Sequence, residues 1–159
     1  MTNSFAAHNH STCIRQGIGH VEKTCAELGL QFTPVRRRVL EILLDRHKAM
    51  GAYDILEHLR AEGLGSQPPV VYRALDFLVR HGFAHRVEQL NAFVACSLPD
   101  ADHTPAFLIC RICDAVSEAR SEPVAGPLAK AARDAGFTVE SAVVEVRGLC
   151  PVCAAEGRT

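Results

Sequence analysis

Residues 68–96 read PPVVYRALDFLVRHGFAHRVEQLNAFVAC, and the hydrophobic period changes once inside this stretch. From Pro68 to Arg80 the apolar residues Val71, Leu75 and Leu78 recur at helical spacing. The proline pair stands where a helix can start without its first N–H groups, and Gly82 stands where one stops. Beyond Gly82 the period falls to two. Phe83, His85 and Val87 alternate, QLNA reads as a turn, and Ala92, Val94 and Cys96 alternate back, which predicts a β-hairpin. Upstream, Ile14, Ile18, Val21, Cys25 and Leu28 line one helical face that ends at Gly29. A second helix opens with Thr33 as N-cap and Pro34 at its first position, and turns Val35, Val39, Ile42 and Leu43 inward. A third, AYDILEHLRAEG, buries Ala52, Ile55, Leu56 and Leu59 and stops near Gly63. Helices followed by such a hairpin predict a winged helix-turn-helix.

Past the hairpin, SLPDADH (97–103) is short and polar and reads as a hinge. Then come a strand at AFLIC (106–110), a strand at AVSEA (115–119) and a helix over about 122–135 closed by Gly136. A long strand over FTVESAVVEVRGL (137–149) follows, whose apolar positions do not all share one face. The expected class is α+β: a winged-helix DNA-binding domain over 1–96 with a flexible tail at 1–12, a hinge at 97–104, and a small α/β dimerisation domain over 105–159.

Composition narrows the function. The 159 residues are 48% apolar and 22% charged, a globular balance. No apolar run approaches the roughly 18 residues of a membrane helix, and no signal peptide is visible. A cytoplasmic protein with neither membrane nor small-molecule substrate is expected. The net charge is −1, yet residues 1–96 carry 11 basic against 9 acidic side chains, whereas 97–159 carry 6 against 9. That mild asymmetry leaves room for a local basic face on the N-terminal half.

Seven cysteines in a reducing compartment point to metal or catalysis rather than disulfides. Cys110 and Cys113 (CRIC) and Cys150 and Cys153 (CPVC) form two C-x-x-C pairs separated by 36 residues. Two such turns brought together complete a closed tetrahedral sulfur shell, the form of a structural zinc site. Cys25 reads as a core thiol on the first helix, and Cys13 has no partner spacing. His8 and His10 fall in the polar tail. In the hairpin, a turn centred between Leu90 and Asn91 sets His85 directly opposite Cys96, with Cβ atoms roughly 4.5–5.5 Å apart. His103 then arrives after the hinge as a third ligand. Three ligands with an open position would make a hydrolytic zinc, and a fourth protein ligand would make a sensor. Glu118 is the carboxylate available on the C-terminal side, and its plainer reading is a solvated strand residue.

The segments AYDILEHL, PPVVYRALDFLVRHGFAHRVE, FVAC, DHT, FLICRIC and GLCPVC resemble, in matching order from about residue 20 to 155, the ferric uptake regulator family and specifically its zinc uptake regulator branch. The resemblance implies two zinc ions per monomer. A structural ion would be held by Cys110, Cys113, Cys150 and Cys153, and a regulatory one by His85, Cys96, His103 and Glu118. The iron-sensing branch typically carries a His-His-Asp-His cluster before its first cysteine pair, where this chain has DADHT. That departure and the thiolate at Cys96 fit zinc better than iron or manganese.

The resemblance further implies repression of zinc uptake genes by a homodimer on double-stranded operator DNA when zinc is plentiful. Tyr53, Tyr72 and Arg73 would be DNA contacts. Arg73 shares a polar face with Asp76 and Arg80, and its guanidinium fork can pair with both major-groove acceptors of guanine. Arg36 and Arg37 are phosphate contacts at best, with a solvated helix face as the alternative. Glu57 and Arg60 either pair locally or join two dimers on one operator. Rival readings are a family member answering to iron, manganese, nickel or peroxide, a zinc hydrolase built on His85, Cys96 and His103, and a thiol-disulfide oxidoreductase built on one C-x-x-C.

Overall fold

A computed structural model describes residues 5, 10–46, 48–65, 67–97, 104–121 and 126–158. The chain forms two compact units, one of Ala6–Pro99 and one of Asp100–Thr159 joined by Met1–Phe5.

The first unit contains α1 (His10–Leu28), α2 (Pro34–Leu44), α3 (Ala52–Ala61), α4 (Pro68–Arg80), β1 (Ala84–Val87) and β2 (Ala92–Ala95). α1 already includes residues 10–12, which the sequence pattern assigns to a tail. Its end is a left-handed cap: Gly29 takes φ +66, and the Leu30 N–H donates to the Cys25 carbonyl at 2.8 Å, a geometry that costs a glycine little. Gly82 closes α4 the same way, with φ +73 and the Phe83 N–H donating to the Leu78 carbonyl at 2.8 Å. α2 starts as its sequence predicts, the Thr33 side chain accepting from the Arg36 N–H. The inward stripes meet in one core that includes Ile18, Val21, Leu40, Leu43, Ile55, Leu59, Leu75 and Leu78. Cys25, 2% exposed, belongs to it, as expected of a small apolar thiol.

Two links fix the helices to each other and to the hairpin. Met50 and Phe93 exchange both backbone hydrogen bonds at 2.9 Å, so the loop between α2 and α3 supplies a third edge to the wing. Arg38 on α2 makes a two-pronged contact with Glu62 beyond α3, both arms at 2.7 Å, and a third bond to Glu41 at 3.0 Å. The Arg38 side-chain hydrogen bond holds the Glu62 carboxyl below its ordinary 4.5. A depressed carboxyl stabilises the fold above its unfolded pKa, and that stability is lost as pH falls through the folded value. Thermal melts of the N-terminal unit are therefore expected to weaken below about pH 4.5, and Glu62→Gln to remove that part of the dependence; an unchanged acid limb in the variant would discard the pair as its source.

The second unit contains β3 (Thr104–Cys110), β4 (Val116–Ser121), α5 (Pro127–Asp134), β5 (Val144–Gly148) and α6 (Pro151–Ala155). The sheet order is β4-β3-β5, with β4 antiparallel and β5 parallel to β3. The α5 crossover is what a parallel pair requires. Three expectations need correction. Residues 122–125 of the expected helix lie outside the described residues, and α5 begins at Pro127. The long strand shrinks to Val144–Gly148. Its register sets Ala106 against Val144, so residues before Ala142 run past Thr104, the first residue of β3, and alternation with no ladder partner makes no strand within the described residues. α6 is an addition to the expected elements, although Cys-Pro is a helix-start signature: Cys150 is its N-cap and Pro151 its first residue.

Candidate metal centres and nucleic-acid interface

The sheet register delivers the four cysteines to one place. Cys110 ends β3, and the turn after it closes through the Asp114 N–H to the Cys110 carbonyl at 3.0 Å and the Cys110 N–H to the Ala115 carbonyl at 2.9 Å. Asp114 takes the left-handed conformation there, φ 55. Cys110 pairs with Gly148 in the β3–β5 ladder, and the Arg111 N–H donates to the Gly148 carbonyl at 2.9 Å. β5 therefore ends beside the first knuckle, and two residues later Cys150 opens the second. The Cys153 N–H points at the Cys150 sulfur, 3.5 Å away.

All four Sγ atoms lie within 4.8 Å of one another, and those of Cys113 and Cys150 are 3.8 Å apart. A tetrahedron of zinc–sulfur bonds of about 2.3 Å has edges of about 3.8 Å. The donor set fits zinc in geometry and in softness. Backbone N–H groups, that of Cys150 foremost, hold the Cys110 thiol down to about 6, while burial and the neighbouring thiols push Cys153 up to about 12. One sulfur of the cluster thus takes negative charge readily, and burial among the other thiols makes the next resist it.

The wing brings His85 and Cys96 together by a route different from the expected one. The register is Ala84↔Ala95, His85↔Val94 and Val87↔Ala92, so His85 faces Val94 and not Cys96. The cause is the turn: Glu88–Leu90 form one tight helical turn and Asn91 is left-handed, φ 46, which centres the loop one residue earlier. Such a φ suits Asn better than most residues. The shift in pairing is even, so side chains keep their faces. His85 and Cys96 become diagonal neighbours on one face, with ligand atoms within 4.8 Å of each other. Cys96 is buried, its N–H donating to the Phe83 carbonyl at 3.0 Å. Glu118 is half-buried on β4 of the second unit, opposite Phe107. His103 lies outside the described residues.

On the helical face, Tyr53 is 66% and Tyr72 44% exposed, and Arg73, Asp76 and Arg80 are exposed along α4, opposite buried Val71, Leu75 and Leu78. Large aromatic rings in water at the start of α3 and α4 are not explained by the core. Arg36 and Arg37 are engaged within the unit. The Arg36 guanidinium lies 3.8 Å from the Phe77 ring centroid and hydrogen-bonds the Gln31 carbonyl. Arg37 pairs with Glu22 and, at 3.2 Å, with Glu41. Either would have to give up those partners to reach a phosphate. Glu57 and Arg60 form a local ion pair at 2.7 Å.

A protein-family model described as the ferric uptake regulator family matches residues 27–147. The chain belongs to the ferric uptake regulator family. Within that family it is 40% identical, over 89% of its length and 84% of the relative's, to the zinc uptake regulation protein of Escherichia coli (strain K12). It is 30% identical, over 79% of its length and 91% of the relative's, to the ferric uptake regulation protein of Bordetella parapertussis. Among solved structures, a zinc uptake regulator in complex with zinc and DNA matches with a TM-score of 0.85 at 38% identity, covering 92% of this chain and 98% of that one. The expected fold, a winged-helix unit followed by a small α/β unit, is the family's.

Proposed function

We infer that this chain is a zinc-responsive transcriptional repressor of zinc uptake genes, a DNA-binding protein and not an enzyme. The observation that carries the zinc reading is the buried Cys96 thiol set beside His85 on the wing. A thiolate–imidazole pair prefers zinc to the harder iron(II) and manganese(II). The identity to a zinc uptake regulation protein over most of the chain supports it.

Two zinc ions per monomer are proposed. The first, at Cys110, Cys113, Cys150 and Cys153, would be structural, since four sulfurs leave no position for water. The second, regulatory, would take His85, Cys96, His103 and Glu118. Its ligands come from the winged-helix unit, the hinge and the α/β unit, so filling it would restrain one unit against the other. Zinc favours that state only by binding it more tightly, and by reciprocity operator DNA then tightens zinc.

The DNA-reading face would be Tyr53, Tyr72 and Arg73, with Arg73 on guanine edges. Each monomer offers one recognition helix, so a homodimer would set two of them at a half-site spacing. The C-terminal unit fits the role of dimerisation module: Leu108 and Val146, paired across β3 and β5, are 43% and 49% exposed, and Phe137 and Val143 are 66% and 56% exposed. Such side chains call for a cover. Glu57 and Arg60, paired within α3, would join two dimers only by exchanging that partner. Cytoplasmic placement follows from the DNA target; no helix among the described residues is long and apolar enough to cross a membrane.

The test is operator binding at buffered free metal. Duplexes selected by the zinc-loaded chain from a random library are titrated under zinc, iron(II), manganese(II) and nickel(II), with anisotropy as readout. Zinc is expected to support binding at the lowest free concentration. Tighter binding under another metal, or under none, would reassign the effector.

A further inference from the structure

We propose that Phe5 is a hydrophobic cover over the four-cysteine centre and slows the exchange of its metal. The cluster of Cys110, Cys150 and Cys153 is packed by Phe5, Ile112, Cys113 and Ala115. Ile112 and Ala115 come with the first knuckle and are fixed by its turn. Phe5 comes from the opposite end of the chain, yet it packs with the C-terminal unit and not with α1, which it precedes. The only other large apolar side chain in MTNSFAAHNH is Met1, so nothing in the local pattern prepares this contact. Phe5 is half-buried against sulfur, where an aromatic ring gains both burial and the weak attraction of sulfur for rings.

The consequence is kinetic. Cys110, Cys150 and Cys153 are 1%, 4% and 2% exposed, and Cys113 is the half-buried member. A tetrahedral sulfur shell releases zinc when a competing ligand reaches the metal or an electrophile reaches a thiolate, and both need an approach to sulfur. An apolar shell around a metal site controls that access and the local dielectric. Phe5 supplies the part of the shell that the ligand-bearing turns do not.

The inference rests on zinc at the four cysteines, and the experiment separates the two. Zinc-loaded full-length chain is mixed with excess chromophoric pyridylazo chelator, and the slow release phase is timed. In parallel, N-ethylmaleimide modification of the four cysteines is mapped by mass spectrometry. Phe5→Ala is expected to accelerate release and alkylation by about tenfold, with Phe5→Leu in between and circular dichroism unchanged. Equal rates in all three proteins would overturn the cover while leaving the zinc centre intact. Loss of the far-UV signal in Phe5→Ala before zinc leaves would also overturn it, by making Phe5 a folding residue. A parent chain with no slowly released zinc would instead overturn the four-cysteine assignment.

Discussion

Cys153→Ser is expected to unfold the C-terminal unit while leaving the N-terminal unit folded. Among its described residues the second unit buries few apolar side chains, chiefly Ala106, Phe107, Ile109, Val116 and Ala129 beside the cysteines, whereas the first has a core fed by four helices and the wing. A unit of about 60 residues with so small a core depends on a metal staple. Structural zinc binding in small domains is worth about 10–16 kcal/mol at neutral pH, and it is folding free energy. Replacing one of four sulfurs by a hydroxyl forfeits much of it and exposes three crowded thiols. Circular dichroism should show loss of strand with the helical signal of α1–α4 retained, limited proteolysis should release a fragment ending near the hinge, and zinc content should fall by one ion per chain. The removal of zinc by a strong chelator should reproduce the result in the parent protein. A variant that keeps its sheet and its melting profile would show that the cluster is not a structural metal site.

Cys96→Ser should abolish the zinc response of DNA binding without unfolding either unit. The thiol is buried beside His85, and serine fits its space, so packing changes little while the soft ligand is lost. Couplings between an effector and a second site amount to about 1–3 kcal/mol, or 5–150-fold in affinity, and operator affinity at saturating zinc is expected to fall by that range to the metal-free level. His85→Ala should match it, because the two are diagonal neighbours on one face of the wing. Glu118→Gln should weaken the response less, since an amide oxygen remains a ligand. If Cys96→Ser still bound operator in a zinc-dependent way, the regulatory assignment would fail although the fold and the four-cysteine centre stood.

What the sequence disclosed depended on whether a signal was local. The helix starts at Thr33-Pro34 and Pro68-Pro69 and the stops at Gly29 and Gly82 are chemical punctuation, and the structure uses each of them. The two C-x-x-C pairs belong together on chemical grounds alone, because a tetrahedral sulfur shell demands two of them. The hairpin was legible in its faces and not in its register: hydrophobic alternation fixes which side a residue takes, but the left-handed Asn91 moved the turn centre, and no alternation encodes that. The long strand failed for a different reason. Residues 137–141 alternate well enough, yet a strand is a property of two chains, and in this register they fall before Thr104, the first residue of β3. Phe5 and Met50 carry no signal at all, being single residues whose partners are remote in sequence.

The parallel β3–β5 ladder sets an order of events when the chain folds. Its first pair, Ala106 with Val144, closes a long stretch of chain, and closure of this kind slows folding. Before it closes, the Cys110–Cys113 turn, which closes on itself through Asp114 and Ala115, is a preformed half-socket. An ion caught there would template the arrival of Cys150 and Cys153, so that the speed at which the sheet assembles would track the supply of free zinc.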